Sequence, residues 1–158
     1  MRRYNPAKDD YFRRHARDRI VVGDLFTYDV PVITIKTGGQ YYGAISKALA
    51  KQGVSFPDLA LGCAEYVVTP TGRTFIFVAL WSEDNAYTHA LIYNCTAACL
   101  KKASLHRVTR VALPFLGGNQ RHRFIGAMEQ AVDDAMDETD EKNEHMPEVV
   151  FVTDVEIQ

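Results

Sequence analysis

Two stretches concentrate the residues that could do chemistry: "IKTGGQYYGAI", from Ile35 to Ile45, and "ALPFLGGNQRHRF", from Ala112 to Phe124. Each sets a Gly-Gly pair and a polar residue between an apolar run and an amphipathic one. The first turn of a helix presents unpaired N–H groups and a partial positive charge, which suit a phosphate. Glycine lets that backbone come close to an anion. Neither stretch is a P-loop, since no Gly-Lys-Ser/Thr follows, and neither has the G-x-G-x-x-G spacing. One such joint is equally a tight turn; the pair points to a nucleotide or phosphoester site. Tyr41 and Tyr42 either cover the sheet or pack on a ribose or base. His122 is the one acid/base candidate near a glycine pair, with exposure in a first helical turn as its plainer reading. Cys63 could act as a nucleophile if a base lay near. Cys95 and Cys99 stand at i, i+4, yet no His or Cys-x-x-Cys completes a ligand set, so they read as core residues. No metal and no cofactor is expected.

The elements that must hold these joints can be read from periodicity. "RIVVGDL" and "PVITIK" are Val/Ile-rich runs of strand type, the second apolar enough to be covered on both faces. From Tyr41 the period changes, and Tyr41, Ala44, Ile45, Ala48 and Leu49 form a helical stripe that ends at Gly53. "CAEYVVTP" and "RTFIFVALW" flank Pro70-Thr71-Gly72 and predict an antiparallel pair. A helix is predicted over "SEDNAYTHALIYNCTAACLKKASL", its stripe being Ala86, Ala90, Tyr93, Ala97 and Leu100. Then follow a strand in "HRVTRVALPFL", a helix in "RHRFIGAMEQAVDDAM" with Phe124, Met128, Ala131 and Ala135 inward, and a strand in "PEVVFVTDVEI". Strands alternating with helices predict one α/β domain of three α/β/α layers, its sheet mixed and parallel at the centre.

With 158 residues, 47% of them hydrophobic and 24% charged, the chain has the profile of one globular domain. No window is apolar for the length of a membrane span, and the N-terminus lacks the apolar core of a secretory signal. With three cysteines, a reducing cytoplasm is the expected location. Residues 1–18 are expected to form a basic arm, mobile or loosely docked, ahead of a domain over 19–158. Arg13, Arg14 and Arg17 in it could contact nucleic acid. The acidic run near the C-terminus is expected to finish a helix and carry a solvated loop. Asp24 and Asp154 would share a polar rim if their strands end on the same side.

In order, "VVGDLF", "GGQYYGAI" and "VALPFLGGN" resemble the signature of the macro domains, over roughly Arg19 to Glu156. The resemblance implies a macro-like fold that binds ADP-ribose or a related nucleotide diphosphate, free or carried on a macromolecule. It implies that Asp24 contacts adenine and that Leu25 adds backbone and apolar contact. Gly38, Gly39, Gln40, Tyr41 and Tyr42 would flank the diphosphate and distal ribose; Gly117, Gly118, Asn119, Gln120 and Arg121 would wrap the diphosphate from the other side. The pattern departs from active members at two places. Lys36 and Thr37 stand where an Asn-rich segment precedes the glycines, and Arg121 stands where an aromatic is usual. These departures favour binding over turnover. The alternatives are an interaction or nucleic-acid-contacting module on the same scaffold, and a weak ADP-ribosyl hydrolase with His122 as its base. Oligomeric state is not set by the sequence.

Overall fold

The computed structural model describes residues 2–83, 86–117 and 123–154. Among them the elements run α1 (Asp9–His15), β1 (Ile20–Val22), β2 (Val32–Lys36), β3 (Gln40–Tyr41), α2 (Gly43–Lys51), β4 (Ala64–Val68) and β5 (Thr74–Trp81). The chain continues through α3 (His89–Leu105), β6 (Arg110–Pro114), α4 (Ile125–Lys142) and β7 (Glu148–Thr153). No helix among the described residues is long and apolar enough to cross a membrane.

Strand pairing gives two half-sheets, β1-β7-β6 and β3-β2-β5-β4. Neighbours β1, β7 and β6 are parallel, as are β2 and β5, while β3 and β4 run antiparallel to their partners. The halves join where Pro31 bridges Ala112 in parallel and the Ala112 N–H donates to the Val30 carbonyl at 3.2 Å. The result is a mixed, centrally parallel sheet, as the alternating elements predict.

Side-chain alternation along the strands builds the layers. Ile76, Val78 and Leu80 of β5 join Val111, Leu113, Val149 and Phe151 in a core shared with α3 and α4. Phe75 and Phe77 of the same strand join Ile33, Ile35, Val150 and Val152 on the opposite face, under Leu49 of α2. Helices therefore cover both faces. Cys95 and Cys99 lie wholly within the first core, as small apolar residues would.

Several sequence expectations change in detail. Residues 37–39 do not lead straight into a helix. They close a hairpin, with Lys36 opposite Gln40 and Ile35 opposite Tyr41. Gly38 and Gly39 both take positive φ, 80° and 74°, so the short loop needs glycine there. Helix α2 starts at Gly43, and Tyr41 is 50% exposed. Of the predicted stripe Leu49 is buried as expected, while Ala44, Ile45 and Ala48 are exposed and Ser46 is the helix's other buried residue. Ser46 tolerates burial because its Oγ accepts from the Tyr42 N–H and donates to the Tyr42 carbonyl. Helix α3 begins only at His89, where the Thr88 Oγ1 accepts from the Leu91 N–H and caps it.

The N-terminal segment lies against α4. Phe12 and Ala16 are buried, the Asn5 N–H reaches Gln130 Oε1, and the Arg2 guanidinium bonds to the Asp134 carbonyl and to Glu141. Helix α1 lies against α4 at Gly126, where a Cβ would stand 2.7 Å from the Asp9 carbonyl oxygen. Gly126→Ala is expected to gain about 1 kcal/mol of helix propensity and lose more to this clash with backbone. Thermal denaturation should show a midpoint several degrees below that of the parent. Gly23→Ala, with open space around its Cβ, should leave the midpoint in place.

Candidate functional site

A cleft of about 540 Å³ opens at the carboxyl ends of β1, β6 and β7. Its wall includes Asp24, Phe26, Ile45, Pro114, Phe115 and Asp154. Register explains the gathering: Val22 of β1 pairs with Thr153 of β7, so the residues that follow both strands emerge together. Asp24 and Asp154 do share a rim.

Asp24 is built in from its own backbone. One carboxylate oxygen accepts the Phe26 N–H at 2.9 Å and caps the 3-10 turn Leu25–Thr27, while the Asp24 carbonyl accepts the Thr27 hydroxyl. This turn buries Leu25 beneath the cleft and leaves Phe26 partly exposed at its mouth. Helix α2 contributes its first turn, with Ile45 on the wall and no side chain capping its N-terminus. The cleft thus combines a fixed carboxylate, an apolar rim at Phe26 and Ile45, and the positive end of a helix dipole.

Beside it lies a second hollow, of about 710 Å³, at the ends of β2 and β5. Lys36, Gln40, Tyr41, Tyr42, Phe56 and Trp81 are on its wall, with the Gly39 backbone. The Tyr42 ring stacks on Trp81 at 5.2 Å between centroids and 6° between planes. The Lys36 ammonium sits 4.9 Å from the Trp81 centroid and 3.1 Å from Glu83. A bulge opposite the Ile35–Lys36 step brings Trp81 level with Lys36. The Tyr87 hydroxyl donates to that of Tyr42 at 2.6 Å, and burial together with this bond raises the Tyr87 pKa well above the usual phenol range.

The sequence-predicted site residues therefore divide. Asp24 and Leu25 belong to the cleft or its floor; Gly39, Gln40, Tyr41 and Tyr42 line the hollow; Gly38 sits at the hairpin tip. Gly117 takes φ 117°, and its backbone lies under the Phe124 ring, where a Cβ would come within 2.3 Å of a ring carbon. Gly118, Asn119, Gln120, Arg121 and His122 lie outside the described residues. Sequence reasoning did not assign Phe26 or Phe115 to a site. The available signal was position, each directly following a strand-end motif. Nor did it pair Trp81 with Tyr42, since the two are distant in the chain.

No family model matches the sequence, and no curated protein matches it. By shape, the macrodomain of Oceanobacillus iheyensis, solved with MES bound, gives a TM-score of 0.62 at 16% identity, covering 87% of this chain and 83% of that one. The macrodomain of Mycobacterium tuberculosis DarG gives 0.58 at 18% identity, covering 84% and 96%. A Trypanosoma brucei macrodomain in complex with ADP-ribose gives 0.61 at 12% identity, covering 98% and 69%. The chain has the macrodomain fold.

Other clusters have internal explanations. Carboxylate oxygens of Asp133, Asp134 and Asp137 lie within 4.8 Å of one another, but the Tyr93 hydroxyl donates to Asp134 and Arg2 pairs with Asp137. Burial pushes the Cys95 thiol up to about 12 and Cys99 well above its usual value, so neither is a thiolate near neutral pH. Cys63 is exposed. A thiol reagent at pH 8 should modify one cysteine of the native protein rapidly, and mass mapping should place it at Cys63. All three should react after denaturation; fast labelling of Cys95 or Cys99 in the native state would contradict the packing.

Proposed function

We propose that the cleft at the ends of β1, β6 and β7 binds ADP-ribose or a related nucleoside diphosphate, and that it binds without turning the ligand over. The observation that carries this reading is the joint presence of Asp24 and the uncapped first turn of α2 on one cleft. A fixed carboxylate accepts a base N–H, and a helix N-terminus meets phosphate. In this reading the adenine lies between Asp24 and the apolar rim, with Phe26 and Phe115 within reach of its faces. The diphosphate crosses the start of α2. Gly38 to Tyr42 and Gly117 to Arg121 flank it, as the macro-domain resemblance implies. The ADP-ribose held by the Trypanosoma brucei macrodomain supports the ligand class. The departures at Lys36, Thr37 and Arg121 support binding over hydrolysis.

Titration calorimetry with ADP-ribose tests the proposal. Saturable heat at micromolar to sub-millimolar ligand is expected. Asp24→Ala removes a charged hydrogen-bond partner worth roughly 1.5–3 kcal/mol and should weaken affinity by about ten- to a hundredfold. Ile45→Glu places a carboxylate on the wall beside the diphosphate path and should weaken binding further at low salt than at high salt. No heat up to millimolar ADP-ribose, with the protein folded by circular dichroism, would overturn the reading.

A further inference from the structure

Helix α2 is covered on one side only. Ser46 and Leu49 are buried against the sheet, and on the opposite side Ala44, Lys47, Ala48 and Lys51 stand at i, i+3, i+4, i+7, all exposed. The two alanines keep this surface low, so the lysine stems rise above it. Neither lysine forms an ion pair among the described residues.

The other outer layer of the domain carries a counterpart. A groove of about 310 Å³ runs between α3 and α4, with Ala97, Leu100 and Ala135 among its apolar lining and Asp134, Glu138 and Glu144 among its acidic residues. Both helices lead from the cleft end of the sheet to its far end, so their C-termini and negative dipole ends lie on the same side. Residues 133–144 hold seven carboxylate side chains against one lysine. Arg2 engages Asp137 and Glu141, and the Tyr93 hydroxyl engages Asp134. Glu138 and Glu144 have no side-chain hydrogen bond or ion pair among the described residues. Lys101 and Lys142, both exposed, also line the groove and offset only part of its charge.

We propose that the α3–α4 groove takes helix α2 of a second copy of this chain. Lys47 and Lys51 lie one turn apart, as do Asp134 and Glu138, roughly 6 Å along the axis in each pair. The lysine stems lie along the apolar lining while their ammonium groups meet the carboxylates. Small residues on both surfaces let the helices approach to about 8 Å. Since α2 and the α3–α4 pair cover opposite faces of the sheet, the contact joins two different patches. Each copy therefore offers α2 to one neighbour and its groove to another, and copies stack head to tail. The contact does not depend on what the cleft binds.

Sedimentation equilibrium of the full chain tests this. In low salt the average mass should climb past that of a dimer as concentration rises toward about 1 mM. It should return toward the monomer in about 0.5 M salt, where the Debye length falls to about 4 Å. Lys47→Glu with Lys51→Glu, and separately Glu138→Lys with Glu144→Lys, place like charges at every contact, so each variant alone should stay monomeric. Mixed in equal amounts they present opposite charges again, and association should return. Lys51→Gln and Glu138→Gln, which remove charge without reversing it, should each weaken association about two- to fivefold. A parent that stays monomeric in low salt would overturn the proposal. So would association that survives either reversed pair, or a mixture of the two variants, both folded by circular dichroism, that fails to associate.

Discussion

The molecule turns on the join at Val30–Pro31. Among the described residues, the two half-sheets meet where the Val30 carbonyl accepts from Ala112 and the Pro31 carbonyl accepts from Ile76. These two successive carbonyls tie β2 to β6 on one side and to β5 on the other. Past that point β2 takes its partner on the β6 side from itself, through the hairpin to β3 at Ile35 and Lys36. β6 therefore continues without β2 beside it, and its last residues, Pro114 and Phe115, become cleft wall. A sheet whose halves part at their carboxyl ends opens a crevice there, where α/β folds of this kind place ligands.

Polar economy near that opening is tight, and it orients α2. Burying Ser46 would be costly if its hydroxyl were unsatisfied; with two bonds to the Tyr42 backbone it locks the helix start instead. Tyr42 then reaches Trp81 and Tyr87, linking α2 to the end of β5 and to the segment ahead of α3. One turn of helix is thus fixed from both faces of the sheet. Its first-turn N–H groups carry no side-chain cap and are held in place by these contacts.

The N-terminal residues serve the fold through α4. Arg19 donates to Glu129 at 2.7 Å; burial pushes the Glu129 carboxyl above its usual range and the Arg19 charge draws it back. Arg2 and Arg13 are likewise engaged, Arg13 with the Arg123 carbonyl. Basic residues that look like a nucleic-acid arm in one dimension are, at these positions, contacts to an acidic helix and to the chain entering it. Removing the segment would strip Phe12 and Ala16 from their partners, so charge-neutralising changes at Arg3, Arg14 and Arg17 isolate any electrostatic role more cleanly than truncation.

Layering was legible in the sequence because it follows from local period, and strand direction because it follows from whether a helix or a short turn joins two strands. The runs at 32–36, 74–81 and 110–114 alternate or stay apolar as buried strands do, and the β4–β5 turn carries its own Pro-Thr-Gly signal. The order of the glycine motifs was legible too, since backbone conformation is written in residue type. Leu49 of α2 was legible as buried, but only packing on the sheet decided that Ser46 joins it while Ala44, Ile45 and Ala48 stay exposed. Tertiary structure alone made Gly38 and Gly39 the tip of a hairpin, since β3 exists by pairing with β2 and has no periodicity of its own in two residues. It also set Trp81 beside Tyr42 and Lys36, a meeting fixed by strand register and a bulge. Local period is short-ranged and survives in a string of letters. Register and the parting of a sheet are long-range balances of hydrogen bonds, and only the folded chain settles them.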